Sequence, residues 1–288
     1  MPDYRKFHGN HRLFRYFAGS RNFRLEKRYL PSGLLMNEYT VTLPELAGES
    51  LLFFTDLHIR FGTTGNLFVP HGPGSWHGTG WIRCALNEAV EMMRPDYLLF
   101  GGDLVTYAVC YPAAMEMMAS LSAPHGCFAV LGNWDKRRRW WLPFREIERL
   151  YERAGWRLLV NESVRSGGVE ICGVDDYKMG IPRVCGNSTA AAYRILLSHN
   201  PDTVAELPPD ELSRFDLALC GHTHGGQIRI PFFGALRASS RYWKRFEYGC
   251  RSHRMCDTAM IVSSGIGTTW LHVRMNCPPE IVLVRFQR

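Results

Sequence analysis

Leu51-Leu-Phe-Phe-Thr-Asp56-Leu-His58 is a short run of apolar and β-branched residues that ends abruptly in a carboxylate and an imidazole. A run this short and this continuous reads as a fully buried strand. The same design returns along the chain. Tyr97-Leu-Leu-Phe100 runs into Gly101-Gly102-Asp103, and Phe128–Leu131 into Gly132-Asn133-Trp134-Asp135. Arg194–Ser198 runs into His199-Asn200, and Leu217–Cys220 into Gly221-His222-Thr223-His224. Five strands that each deliver a potential metal-binding group at their carboxyl end suit an open α/β sheet, whose binding crevice lies at that edge. The adjoining glycines let the backbone turn sharply and approach the site.

Further strands are expected at Leu34–Leu43, Val169–Val174, Gln227–Ile230, Thr258–Val262 and Ile281–Phe286. Those that end in the polar groups are Leu51–Thr55, Tyr97–Gly101, Cys127–Leu131, Arg194–Ser198 and Asp216–Cys220. Helical periodicity marks Trp81–Met93 (stopped by Pro95), Pro112–Leu121 and Phe144–Arg153. Strands and helices interleave early and strands dominate late, which predicts an α/β (α+β) core of mixed sheets. The 288 residues hold 46% hydrophobic and 21% charged residues. That composition excludes a disordered chain, and no run of 18 apolar residues offers a spanning helix. No linker-like change of composition follows residue 33, so residues 34–288 are expected to form one domain behind a segment 1–33.

That first segment differs from the rest. Residues 1–31 carry eight Lys/Arg against Asp3 and Glu26, a net charge of +6, while the other 257 residues balance 26 basic against 25 acidic groups. Seven aromatics lie among the charges, and on a helical wheel Phe7, Phe14, Phe17 and Ala18 share a face flanked by Arg12 and Arg15. Two expectations stand: a basic tail or a segment packed on the domain, or a short helix on an anionic membrane surface. Nucleic acid is the less favoured partner, because no base-reading module is present. The nine cysteines include no Cys-x-x-Cys and many sit in apolar runs, which fits reduced thiols in a cytosolic protein. The N-terminus lacks a signal peptide's apolar stretch, so the expected location is cytoplasmic, with peripheral attachment to the inner face of the membrane as an option.

Single motifs decide little. A chain with this many Asp and His contains an Asp-x-His by chance roughly 0.4 times. Five pieces in order, each behind an apolar run, carry more weight. The series Asp56-x-His58, Gly102-Asp103, Gly132-Asn133-x-Asp135, His199, Gly221-His222-x-His224 resembles the calcineurin-like metallophosphoesterases. Leu196–Asp202, Gly221–Leu236, Gly265-Ile-Gly-Thr268, Val273-Arg274 and Pro278–Ile281 are similar to a bacterial branch of that family. The resemblance implies a four-layer sandwich of two mixed β-sheets flanked by helices, with a dinuclear metal site at strand carboxyl ends. It implies that one metal takes Asp56, His58 and His224, the other Asn133, His199 and His222, with Asp103 bridging them. Asp103, Asn133 and His222 are then the catalytic residues, and a hydroxide bridging the metals attacks phosphorus. The mixed nitrogen and oxygen donors suit manganese first, with iron or zinc as alternatives.

One position departs from the family. The usual Gly-Asn-His-Asp is here Gly132-Asn133-Trp134-Asp135, and tryptophan cannot protonate a leaving group. A general acid contributes ~10²–10⁴-fold, so its loss harms alkyl phosphodiesters most and pyrophosphates least. Family members that cleave the pyrophosphate of UDP-2,3-diacylglucosamine, in lipid A synthesis, also lack that histidine. The expected substrate is therefore a pyrophosphate or phosphodiester in a lipid- or nucleotide-linked molecule, with UDP-2,3-diacylglucosamine, releasing UMP, as the named candidate. Trp134, Lys136, Arg137, Arg138 and Arg274 are the candidate substrate-binding residues, and His71 or His77 could replace the lost acid. A general phosphodiesterase, a nuclease and a non-catalytic binding scaffold are the alternatives. Cys250-x-x-His253-x-x-Cys256 has half the pattern of a zinc site but no second pair follows, and Asp175-Asp176 is expected in a turn or cap.

Overall fold

Leu51 and Phe53 pack on one side of their strand while Leu52 and Phe54 pack on the other, all four fully buried. Both faces of this strand are thus covered, which requires layers above and below. The computed structural model describes residues 14–16, 23–60, 79–137, 142–186, 190–269, 271 and 273–288. In chain order its regular elements begin with β1 (Phe14–Tyr16), β2 (Phe23–Tyr29), β3 (Leu35–Thr42), β4 (Ser50–Phe54), α1 (Thr79–Met93), β5 (Tyr97–Phe100) and α2 (Tyr111–Ala119). They continue with β6 (Cys127–Ala129), α3 (Phe144–Arg153), β7 (Trp156–Leu158), β8 (Glu162–Ser166), β9 (Val169–Gly173) and β10 (Tyr193–Ser198). The last are α4 (Pro201–Glu206), α5 (Pro209–Leu212), β11 (Leu217–Cys220), β12 (Arg229–Ile230), β13 (Gly234–Ala235), β14 (Gly249–His253), β15 (Ala259–Val262) and β16 (Glu280–Gln287).

Two seven-stranded sheets result, ordered β2-β3-β16-β4-β5-β6-β7 and β1-β14-β15-β11-β10-β9-β8, with β12 and β13 forming a separate hairpin. Both are mixed. In the first, β4, β5, β6 and β7 run parallel to one another, while β16 is antiparallel to β4 and parallel to β3. In the second, β9, β10, β11 and β15 run parallel, with antiparallel neighbours at both ends. The period-2 alternation of side chains sorts the core into three layers. Leu51, Phe53, Leu99, Ile171, Ile195, Leu197, Leu219 and Val284 fill the space between the sheets. Phe54, Phe100 and Leu98 turn outward onto Leu86 and Ala89 of α1, Met115 and Met118 of α2, and Ile147 and Tyr151 of α3. Leu196, Ala218 and Met260 cover the opposite side with Val204 of α4 and Leu212 of α5. The fold is the expected mixed α/β sandwich of four layers.

Of the two expectations for the basic N-terminal segment, its described parts fit the one packed on the domain, and the helix is corrected at Phe14. Those parts are strand, not helix: β1 pairs with β14, and β2 pairs along its whole length with β3. The reason is the alternation Phe23-Arg24-Leu25, which buries Phe23 against Tyr39, ring centroids 5.2 Å apart, and leaves charges outside. Arg24 pairs with Glu26 at 2.8 Å and Arg28 with Glu38 at 3.0 Å, so part of the segment's charge is met within the sheet. Charged side chains on this edge also discourage pairing with other chains. The helical face through Phe7, Phe17 and Ala18 lies outside the described residues. The strand expected at Gln227–Ile230 is only β12, because Gln227 has φ +55° after a tight turn at His224–Gly226. All nine cysteines are free thiols. The described residues contain no helix long and apolar enough to cross a membrane.

Candidate metal centre

The parallel strands β4, β5 and β6 of one sheet and β10 and β11 of the other point their carboxyl ends at the same region. The backbone there is tied loop to loop. Asp56 N–H donates to Gly102 O (2.9 Å), His58 N–H to Asp103 O (3.0 Å), and Gly221 N–H to His199 O (2.9 Å). His222 N–H joins the two sheets by donating to Asp56 Oδ2 at 2.9 Å. Two glycines are required by closeness. A Cβ on Gly132 would lie 2.1 Å from Asp103 Oδ1, and one on Gly221 would lie 2.3 Å from Asp56 Oδ2. Asp56, His58, Asp103, His222 and His224 all have φ between +48° and +70°, a region L-residues enter only when the surroundings force it.

Two groups of metal-ligand type form, both buried: Asp56, His58 and His224, and Asp103, His199 and His222. In the first, the Nε2 atoms of His58 and His224 are 3.1 Å apart and Asp56 Oδ1 is 3.3 Å from His224 Nε2. In the second, His199 Nε2 is 3.1 Å from His222 Nδ1 and 3.3 Å from Asp103 Oδ2. Asp103 Oδ2 is also 3.5 Å from His58 Nε2, so one oxygen faces both groups. His199 Nδ1 lies 2.8 Å from Gly101 O and can only donate there, which turns Nε2 toward Asp103 and His222. Asn133 is buried beside Asp103 and His222 in the wall of the adjoining cavity, and its Oδ1 accepts no hydrogen bond. Asp56 Oδ1 is likewise buried without a hydrogen-bond partner.

Electrostatics sharpen the picture. Burial pushes the Asp56 carboxyl up to about 6, with the neighbouring Asp103 charge adding to it against the pull of His199. Burial also pushes His58 down to about 4 and holds His222 and His224 well below the usual imidazole range. His199 goes the other way, to about 10, because the charge and hydrogen bond of Asp103 outweigh its own desolvation. Asp103 is desolvated too, yet His199 holds it below the usual carboxylate range. Neutral imidazoles, buried carboxylates and orphaned side-chain oxygens that converge in one place are the donor set a divalent cation takes, and the residues fit two such ions.

Other side chains serve these. Asp135 is fully enclosed and accepts from the backbone N–H groups of Gly132 (2.9 Å), Asp103 (2.8 Å) and Leu104 (3.0 Å), which locks the loops after β5 and β6 together. Trp134 donates its backbone N–H to Asp103 Oδ1 at 2.8 Å and sets its ring edge-on to His58, centroids 5.6 Å apart. The Arg137 guanidinium stacks 4.0 Å from the Trp134 ring centre. Beyond them opens a cavity of about 400 Å³ lined by Asp103, Asn133, Trp134, Arg137, Lys178, His222, His224 and Arg237 on its polar side and Ile228, Leu236 and Leu271 on its apolar side.

Not every expected residue joins the site. Lys136 is spent on an ion pair with Asp175 and does not line the cavity. Arg274 is wholly buried and donates to the carbonyls of Ser264 (2.7 Å), Gly265 (3.0 Å) and Gly267 (3.0 Å), so it braces the loop after β15 rather than reaching a phosphate. Arg138, His71 and His77 lie outside the described residues. Cys250, His253 and Cys256 form no group of metal-ligand type, and the two groups above are the ones found among the described residues. Sequence reasoning missed Lys178, whose Nζ is 2.7 Å from His222 Nε2 and donates to Ser239 O at 3.2 Å. Its signal was the Asp175-Asp176 pair: Asp176 Oδ2 accepts from the N–H groups of Lys178 (2.8 Å) and Met179 (2.7 Å), a turn that aims the lysine inward.

Comparison with known proteins agrees with this geometry. The family model described as calcineurin-like phosphoesterase matches residues 50–226, the span that holds all seven ligand-type residues. The chain belongs to that family, and the family makes it a metal-dependent phosphoesterase. It is 30% identical over 245 residues to the phosphodiesterase YaeI of Escherichia coli (strain K12), covering 81% of this chain and 80% of that one. It is 29% identical to the uncharacterized metallophosphoesterase YkuE of Bacillus subtilis (strain 168), over 69% of this chain and 68% of the other. An uncharacterized metallophosphoesterase of Aquifex aeolicus (strain VF5) is 31% identical over 69% of this chain and 76% of its own length.

Proposed function

We propose that this chain hydrolyses a phosphodiester or pyrophosphate bond whose leaving group departs without a proton from residue 134. Asp56, His58 and His224 would hold one divalent ion, and Asn133, His199 and His222 a second, with Asp103 shared. Manganese is the first choice, with iron or zinc as alternatives for this donor set. When bound, such ions make water nucleophilic near neutral pH and offset the charge that builds on the phosphoryl oxygens.

The chain's own residues supply the rest. Arg137 and Lys178 line the cavity beside Asp103 and give a phosphoryl group two cations to lie against. Trp134 occupies the place of the expected proton donor, and this carries the proposal: an indole N–H cannot be given up to an alkoxide. A leaving group that is already a weak base, such as a phosphate monoester or an aryl oxide, does not need it. The relative named a phosphodiesterase supports the phosphodiester half of this reading. The apolar wall of Ile228, Leu236 and Leu271 supports a substrate with an apolar portion, of which UDP-2,3-diacylglucosamine is one candidate.

The test is a panel of leaving groups assayed with Mn(II). Bis(p-nitrophenyl) phosphate and UDP-2,3-diacylglucosamine, followed by UMP release, stand against a dialkyl phosphate. The activated ester and the pyrophosphate are expected to outpace the dialkyl ester by far more than in a histidine-bearing relative. Equal treatment of the dialkyl ester by both would refute the leaving-group argument.

A further inference from the structure

The hairpin β12–β13 stands out for the exposed aromatic ring of Phe232 at its tip. Phe233 N–H donates to Ile230 O at 3.1 Å, closing a turn with Pro231 second and Phe232 third. Phe232 has φ +65°, and a turn that needs positive φ at its third position ordinarily places glycine there. A bulky residue in that conformation is strained. Its ring is also fully exposed, at 111% of the reference area, while Phe233 is 57% and Ile230 40% exposed. The backbone would be better served by glycine and the core gains nothing from the exposed ring, which points to a role outside the chain.

We propose that this hairpin is a lipid-binding element that inserts into an anionic phospholipid surface and turns the mouth of the metal-site cavity toward phosphoester amphiphiles held in that surface. The proposal rests on the phosphoesterase reading above for the substrate class, but not for the binding itself. Three observations favour lipid over other partners. The apolar surface is continuous with the site: Ile228 and Leu236 flank the hairpin and line the cavity, with Leu271, 62% exposed, beside them. The surroundings are basic: residues 228–246 contain Arg229, Arg237, Arg241, Lys244 and Arg245 and no acidic residue. Beyond Arg229, paired to Glu247, and Arg241, paired to Glu206, Arg237 and Lys244 add positive charge that suits lipid phosphates. Lys244 Nζ lies 3.2 Å from the Phe233 ring centre and donates to Phe233 O at 2.6 Å, a cation held at the level of an inserted aromatic. Exposed Trp243, on the adjacent turn, is a residue type that settles at headgroup depth.

The experiment is co-sedimentation of the full chain with vesicles of phosphatidylglycerol and phosphatidylcholine, against phosphatidylcholine alone. Wild type is expected to bind the anionic vesicles and to release in high salt. The F232S/F233S double variant should lose about tenfold or more of that binding. The F232G variant separates the claim from a folding defect, since it should melt no lower than wild type yet bind vesicles more weakly. Both variants should keep the wild-type rate on soluble bis(p-nitrophenyl) phosphate. Absence of that soluble activity from metal-loaded wild type would overturn the phosphoesterase reading and leave the vesicle result standing. Undiminished vesicle binding by F232S/F233S would overturn the hairpin proposal and point to residues 1–22. So would a dimer that the double variant dissociates, without vesicle binding by wild type.

Discussion

Asp103 Oδ2 lies within 3.5 Å of a histidine nitrogen from each of the two ligand groups, and no other carboxylate oxygen is so placed among the described residues. His199 sets the proton balance of the centre. Without metal it is held to about 10 by Asp103, so it is protonated at pH 7, and ligation through Nε2 must expel that proton. Metal binding at pH 7 is therefore predicted to release about one proton from this residue, and affinity to weaken as the pH falls further below about 10. An indicator dye in weak buffer measures the release, and metal uptake with no proton released would contradict the assignment of His199. Trp134 gives the complementary prediction. W134H supplies the missing donor, so hydrolysis of a dialkyl phosphate should rise by ~10²-fold or more, while bis(p-nitrophenyl) phosphate changes little. A parallel rise for both esters would mean that the tryptophan acts by shape alone.

At the scale of elements, the loops after β5 and β6 are one structure. Asp135 accepts three of their backbone N–H groups, and Gly132 leaves no room for a side chain against Asp103. G132A should cost about 1–3 kcal/mol of stability and weaken metal binding about 10–100-fold by displacing Asp103. Isothermal titration with Mn(II) and a thermal melt check both parts, and unchanged metal affinity would contradict the packing described. This part of the molecule was legible because each strand is a short apolar run cut off by its own polar group, so run and ligand are read together. The helix Phe144–Arg153 was legible to the residue for a similar reason, since its apolar positions recur at helical spacing after Pro143. The strands β2, β8 and β14 were not. Their residues are mostly polar, and only pairing with neighbouring strands (β2 with β3, β8 with β9, β14 with β1 and β15) makes them strands. Lys136 and Arg274 misled for another reason: a cation near a phosphate motif looks the same in sequence whether it faces a cavity, an aspartate or buried carbonyls. Lys178 was missed because the Asp175-Asp176 turn that aims it inward lies forty-odd residues from His222 in sequence, so the pair reads only as a turn.

For the whole molecule, the centre exists only because two sheets are clamped face to face. Asp56, His58, Asp103 and Asn133 come from one sheet and His199, His222 and His224 from the other, and the His222 N–H to Asp56 Oδ2 bond crosses between them. The interlayer core of Phe53, Leu99, Ile195, Leu197 and Leu219 fixes that clamp, so it holds a donor set no single sheet could assemble. A donor set of this kind should bind two divalent ions that share Asp103. This is tested most directly by metal analysis of protein reloaded with Mn(II), alongside hydrolysis of bis(p-nitrophenyl) phosphate, for wild type and D103A. Wild type is predicted to hold about two equivalents per chain and turn over. D103A is predicted to hold at most one and to fall below about one hundredth of the wild-type rate. A wild type that takes up no metal, or a D103A protein that keeps both ions and full turnover, would rule out a pair of ions shared by Asp103.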